Sequence, residues 1–416
     1  MTAVLADAVD PADPTPPPAI APLAWAPWLL AVACGVTVAN LVYAQPLTGP
    51  IGAALGLPAA ARGLIVTLPQ AGYGLSLLLI VPLADLLENR RLVLTLLLLE
   101  LVCLLVLSFA ARPVTFLGLA FLVGLTAAVV QVLLPYVTYL VPEADRGRAV
   151  ATVVSGIMFG IMLARPLSSL VADLWSWRVM FRISAILMTV LALVLRLVLP
   201  KRLPAPGLTY PTLLRSMGAI FFSTELLRRR ALYHACLFAS FSAFWTAAPL
   251  WLSGRQFGLS QGGVAWIALA GVAGALAPPL ASRLIDRGLT RHGTVAAMIL
   301  VVAAFAVSML ARNGSHLAIG AVVLAAIILD AAVSANMVFG QRAIYALAAE
   351  HRSRLNGLYM ATFFTGGAIG SALSGWAYSR FGWTAVALLG MALPMLSLVY
   401  VVTERRASKT PVRRVV

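Results

Sequence analysis

The chain has 416 residues, 61% of them hydrophobic and 11% charged, with a formal net charge of +16 and a mean hydropathy of +0.96. Soluble domains are about half apolar and a quarter charged, so a soluble globular fold is excluded. At roughly 20 apolar residues per crossing the composition suits about twelve transmembrane helices. Its positive charge lies in short gaps between apolar runs, not gathered on a face with exposed aromatic side chains, which sets nucleic acid aside as a partner.

Residues 1–22 are rich in proline, carry three Asp and no Lys or Arg, and predict a disordered tail rather than a basic signal peptide. Apolar runs bounded by Gly, Pro and charge then predict spans near 25–48, 63–86, 92–110, 113–139, 149–173 and 179–199. A polar interruption at 200–230 follows, and six more spans lie near 231–253, 263–284, 293–311, 316–340, 355–378 and 383–403. The organisation expected is a tail over 1–22, a six-helix bundle over 23–200, a linker loop over 201–230, a second bundle over 231–404 and a basic tail over 405–416.

Lys and Arg resist translocation, so their distribution sets orientation. Twenty-one of the thirty fall on one side, in the loops after even-numbered spans and at the C-terminus, six on the other, and Arg165, Arg182 and Arg196 inside spans. Both termini and the central loop are therefore expected to be cytoplasmic, in a multi-pass protein of the inner (plasma) membrane. The halves also repeat. V-P-L-A-D-L-L-E-N-R-R from Val81 is echoed by P-P-L-A-S-R-L-I-D-R-G from Pro278, and R-G-R-A-V from Arg146 by R-S-R-L-N from Arg352, in the same order. Repeated helix bundles around a midplane site are a transporter architecture.

V-P-L-A-D-L-L-E-N-R, residues 81–90, resembles the signature loop G-x-L-a-D-r-x-G-r-k of the major facilitator superfamily, in the right place between spans two and three. Leu83, Ala84, Asp85 and Arg90 agree; Val81 and Glu88 replace the glycines, and Leu86 and Asn89 the basic residues. The resemblance implies an all-α membrane fold of twelve helices in two six-helix bundles related by a pseudo-twofold axis, with Asp85 and Arg90 gating the cytoplasmic side. A-N-L-V-Y-A-Q-P from Ala39, Q-A-G-Y-G from Gln70, Q-V-L-L-P from Gln131 and R-S-R-L-N-G-L-Y-M from Arg352 look like bacterial permeases of the sugar or drug exporter type. The R-x-x-x-G of the proton-linked drug antiporters is absent from span four, where Ala120 precedes Gly124.

A charge at the bilayer centre costs about 3 kcal/mol on insertion scales, which draws attention to Glu100, Arg165, Asp173 and Asp330. Asp330 shares a helix stripe with Ser334, Met337 and Gln341, a polar track. A carboxyl whose surroundings alternate between two sides can take a proton from one and release it to the other, so Asp330 is the expected proton-coupling group; the plainer alternative is helix fastening. Arg165 cannot realistically lose its proton and is expected to contact solute, to partner the proton site, or to pair within its helix with Asp173, roughly 12 Å along the axis. Glu100 reads as a neutral acid bonded to a neighbouring helix.

Asn40 with Tyr43 and Gln70 with Tyr73 are spaced by three on their helices and are expected to face one volume with Gln131; Trp245, with Phe241 and Phe244, is expected to supply an apolar wall. Two G-x-x-x-G pairs, Gly156/Gly160 and Gly366/Gly370, predict close helix approach. Cys34, Cys103 and Cys236 are odd in number, and His234, His292, His316 and His351 are scattered without H-E-x-x-H, so neither a disulfide framework, a metal site nor a membrane enzyme is expected. No cofactor is implied. The reading is a monomeric, proton-coupled exporter of a small sugar-like or drug-like solute, embedded in membrane lipid. A uniporter or importer is the nearer alternative; a non-transporting receptor would usually present a larger soluble domain.

Overall fold

Apolar runs of this length can satisfy their backbone in lipid only by coiling into helices or closing a barrel, and this chain coils. The computed structural model describes residues 25–202, 209–311, 314–347 and 352–404. The expected tails over 1–22 and 405–416, and residues 203–208 of the linker, lie outside these. Among the described residues there is no strand.

The first half contains α1 (Ala26–Ala39), α2 (Thr48–Ala54), α3 (Leu64–Leu79), α4 (Asn89–Ser108), α5 (Pro113–Thr126), α6 (Val129–Tyr136), α7 (Arg146–Leu174) and α8 (Trp177–Val198). After α9 (Tyr210–Ser223) come α10 (Glu225–Leu252), α11 (Gln261–Gly271), α12 (Ala277–Asp286), α13 (Thr290–Ser308), α14 (His316–Tyr345) and α15 (Arg352–Val402). Ten stretches of helix among the described residues are long and apolar enough to cross a membrane, the stretches holding α5 with α6 and α11 with α12 each counting once.

One of the ten is two crossings. The 51 residues of α15 would extend about 76 Å if straight, more than twice a hydrocarbon core of about 30 Å. Gly382 breaks the helix with φ 71° and ψ −162°, a backbone that side-chain-bearing residues avoid, and the chain turns back. α1, shorter than these ten, is followed by the turns at 40–47 and by α2, and the helices before and after α9 each gather around a buried core of their own.

The central interruption is more ordered than a loop. Pro211 sits in the first turn of α9, where its missing N–H costs nothing. Leu213 and Met217, one turn apart, are buried, Met217 in a cluster with Leu227, Ile344 and Tyr359. Its apolar stripe, hidden among linker charges, holds the helix to the bundles.

The glycine pairs act inside each half. A Cβ on Gly156 would lie 2.3 Å from the Ala31 carbonyl oxygen, and one on Gly160 2.2 Å from that of Gly35; α7 thus rests directly on α1. In the second half Gly366 and Gly370 rest in the same way on Ala235 and Ala239 of α10. Each pair binds a helix within its own half, not across the boundary between halves.

Between the halves the packing is uneven. Along α3 and α15 it is continuous, with Gly63 against Gly375 and the hydroxyls of Thr67 and Ser371 2.9 Å apart. α7 meets α11 and the turn Val272–Leu276, but its first residues, Arg146 and Val150, instead line a vestibule of about 1150 Å³ with Thr138, Arg342, Tyr345 and Asn356. The molecule is open at the end bearing the larger basic share and closed at the other.

Candidate functional site

Beyond the vestibule lies a cavity of about 140 Å³, and Gln131 is in the wall of both. The first half contributes Val38, Leu41, Val42 and Gln45, then Gln70 and Tyr73 from α3, Val130 and Gln131 from α6, and Ile157, Met158, Ile161, Met162 and Arg165 from α7. The second contributes His234, Phe238 and Phe241 from α10, Asp330, Val333, Ser334 and Met337 from α14, and Met360, Phe363 and Phe364 from α15. Most of this wall is apolar.

At its closed end two of the intramembrane charges meet. Arg165 Nη1 lies 3.6 Å from Asp330 Oδ2, and the side chains are 4% and 8% exposed. Arg165 Nε donates to Gln45 Oε1 at 2.8 Å, and its guanidinium covers the rings of Phe241 at 4.8 Å and Trp245 at 4.6 Å. Trp245 Nε1 donates to Asp330 Oδ1 at 2.8 Å. Three helices thus fix one ion pair that joins the halves. Buried charges persist when they are paired and hydrogen-bonded in this way.

Arg165 is not paired with Asp173 on its own helix, as one expectation had it. A Cβ on Gly262 would come within 2.7 Å of Asp173 Oδ2, so that carboxylate sits against the first turn of α11, where a helix N-terminus favours negative charge. The axial distance along α7 was too long for an intrahelical contact, and the second half supplies both partners.

The neutral residues divide. Gln131 Nε2 donates to Tyr73 Oη at 3.1 Å, and Gln70 Nε2 to Ser242 Oγ across the halves at 3.2 Å. Asn40 and Tyr43 are not on the cavity wall, which corrects the expectation that they face this volume. Asn40 Nδ2 donates to Glu100 Oε1 at 2.8 Å, and the Asn40 amide oxygen accepts from the Ser184 hydroxyl. Tyr43 is packed in the interior of the first half, 3% exposed. After Ala39 the chain tightens, with Asn40, Leu41 and Val42 each bonded to the carbonyl three residues back. At three residues per turn the register drifts from the α-helical one, and Gln45 takes the inward place.

Asp85 and Arg90 are not paired with each other. The Arg90 guanidinium donates to the carbonyl of Arg196 near the end of α8, inside the first half. Asp85 lines a separate cleft of about 190 Å³ under α9, with Arg202 and, from the second half, Arg354.

Two features of the wall escaped the sequence reading, Gln45 and the placing of His234 and Phe238 in one row with the expected Phe241. The histidine is the signal that was present: these three fall at i, i+4 and i+7, one helix face.

The cavity between two helical halves has counterparts. The sequence matches the model of the Major Facilitator Superfamily over residues 28–328 and 230–415. The chain belongs to that superfamily. It is 36% identical over 371 residues to the transporter YgaY of Escherichia coli O157:H7, covering 89% of this chain and 93% of the relative. It is 30% identical over 360 residues to the probable transporter SCO4007 of Streptomyces coelicolor, 86% and 82% of the two chains. Among solved structures, that of the nucleoside transporter NupG superposes with a TM-score of 0.75 at 14% identity, covering 91% of this chain and 99% of that one. A POT family transporter in complex with 5-aminolevulinic acid gives 0.73 at 14%, covering 91% and 95%. These likenesses establish the fold. This superfamily member is a membrane transporter and not an enzyme.

Proposed function

We propose that this transporter exports a small organic solute across the inner membrane in exchange for protons, with the ion pair between Arg165 and Asp330 as the coupling device. The observation that carries the reading is the 3.6 Å contact between them, made across the two halves at the closed end of the cavity. The end with the larger basic share is taken as cytoplasmic from its arginines, with both termini on that side and the cavity facing it.

The pair is a lock with two keys. While Asp330 is ionised and the cavity unfilled, attraction to Arg165 holds the outer end shut, and the protein cannot shuttle its proton site across the membrane without cargo. A solute whose acceptor competes with Asp330 for Arg165 weakens the tie and lets that end part. On the outer side a proton on Asp330 replaces the solute, the ion pair stays broken, and the transporter returns. Releasing the proton to the cytoplasm restores the lock. Export is driven by the proton gradient because each return carries one proton inward.

Gln45, Gln70, Tyr73, Gln131 and Trp245 complete the solute site in this reading, directly or by holding the pair. The mostly apolar wall supports a drug-like over a sugar-like solute. Asp85, in a cleft shared with Arg354 of the other half, would close the cytoplasmic side as the outer end opens.

The test is solute-triggered proton flux in proteoliposomes containing a pH dye, with pentoses, hexoses and aromatic drugs as cargo, for wild type and Asp330→Asn. A cargo that moves protons through wild type and crosses Asp330→Asn without them supports the coupling role. Equal proton movement through both ends it.

A further inference from the structure

One buried titratable side chain on the cavity wall has no part in the lock. His234, on α10, is 0% exposed. Asn336 Nδ2 on α14 lies 3.0 Å from His234 Nδ1, and an amide N–H donating there places the proton of a neutral imidazole on Nε2. That Nε2 is buried with no hydrogen-bond partner among the described residues. Leaving a buried donor unmatched is costly, and proteins keep few such groups without a use. The ring also stacks on Phe363 at 4.3 Å and 16° and on Tyr359 at 5.3 Å and 2°, so its orientation is fixed.

The stacking continues across the wall. Phe363 lies on Phe238 at 3.6 Å, Phe238 on Phe241 at 5.3 Å, and Phe241 under the Arg165 guanidinium at 4.8 Å. Flat groups therefore run from the histidine to the ion pair. Met158, Met162, Met337 and Met360 share the same cavity; thioethers adapt to the shape of a guest and make favourable contacts with aromatic rings. The cavity, about 140 Å³, is comparable to the roughly 150 Å³ engineered void that accepts benzene. Its one carboxylate already accepts from Trp245 and faces Arg165, so a cationic guest finds no open counter-charge.

We infer that His234 is a specificity-determining contact of the transporter, its Nε2–H donating to a hydrogen-bond acceptor on a planar aromatic solute of one ring, neutral or anionic, seated among the phenylalanines and methionines. The inference rests on the transport reading and names the solute class of the same cavity.

The test is direct binding to the purified full-length transporter in detergent, by ligand-induced shift of the unfolding temperature and by saturation-transfer NMR. The probes are benzamide, benzoate, benzylamine and cyclohexanecarboxamide at up to about 10 mM, a concentration set by the few kcal/mol that so small a ligand can gain. Benzamide and benzoate are expected to bind, benzylamine and cyclohexanecarboxamide not. His234→Phe keeps a flat ring and removes the donor; it is expected to unfold near the wild-type temperature and to bind benzamide about tenfold more weakly. Asn336→Leu, which releases the tautomer, should weaken benzamide in the same direction and serves if His234→Phe does not fold.

Benzamide bound equally by wild type and by whichever of the two variants folds overturns the role of His234. Preference for benzylamine, or no binding by any probe, overturns the solute class. Since no proton gradient enters, the outcomes separate from the coupling reading. Benzamide binding without proton flux removes only the role of Asp330, and proton flux on a sugar without benzamide binding removes only the present inference.

Discussion

Replacing Arg165 by methionine tests the central ion pair at both the structural and the functional level. Arg165 and Asp330 are 3.6 Å apart with side chains 4% and 8% exposed. At an effective dielectric constant of about 20 their attraction is about 4 kcal/mol, and breaking a buried pair from one side typically costs about 3–5 kcal/mol, because the remaining charge is left uncompensated. Arg165→Met leaves the Asp330 carboxylate with only the Trp245 indole donor, and the unfolding temperature in detergent should fall by several degrees near neutral pH. The loss should shrink as pH drops, since a protonated carboxyl carries no charge to strand. Asp330→Asn in the same chain removes the stranded charge and should return much of the stability. The readout is a double-mutant cycle, with unfolding followed by tryptophan fluorescence at two pH values. Additive losses, with no recovery in the double variant, would refute the pair as an energetic link between the halves.

Three further outcomes follow from the same geometry. Thr67→Cys combined with Ser371→Cys, at positions whose native hydroxyls lie 2.9 Å apart, should cross-link on oxidation, hold the outer end shut and stop transport until reduced; uptake assays before and after reductant check this. Gly156→Val drives a side chain into the Ala31 carbonyl, 2.3 Å from the Cβ position, and should cost at least about 1–3 kcal/mol, read as loss of monodisperse protein on size exclusion. Asn40→Leu breaks the contacts with Glu100 and Ser184 and should lower thermal stability with no change in solute affinity, whereas Gln45→Leu, which frees the Arg165 Nε, should change affinity. Binding titrations of the two variants tell them apart.

How far the site was legible in the sequence differs by residue. Asp330 and Arg165 stand out because charge is costly in apolar runs, and that cost is visible in one dimension. Their partnership is not: they belong to different halves, 165 positions apart in sequence, and nothing local aims one at the other. Asn40 and Tyr43 failed because an α-helical spacing was applied to a stretch wound more tightly, and the backbone bonds at 40–42 that reveal the winding leave no mark in composition. His234 was passed over as a lone histidine, although its spacing to Phe238 and Phe241 was available. The linker helix α9 was hidden by the charges and prolines on either side of a two-residue apolar stripe.

By itself, the sequence determined that this chain lives in a bilayer as helices, that its loops are short and that basic residues mark one side. Each of these follows from the cost of moving polar groups into hydrocarbon, which acts residue by residue and is summed along the chain. The tertiary structure alone decided which polar side chains meet. That choice depends on the rotation of each helix about its axis and on the closeness allowed by glycine contacts such as Gly156 on Ala31. An ion pair or an unmatched imidazole nitrogen is created or abolished by a change of a few ångströms, a distance that hydropathy does not encode.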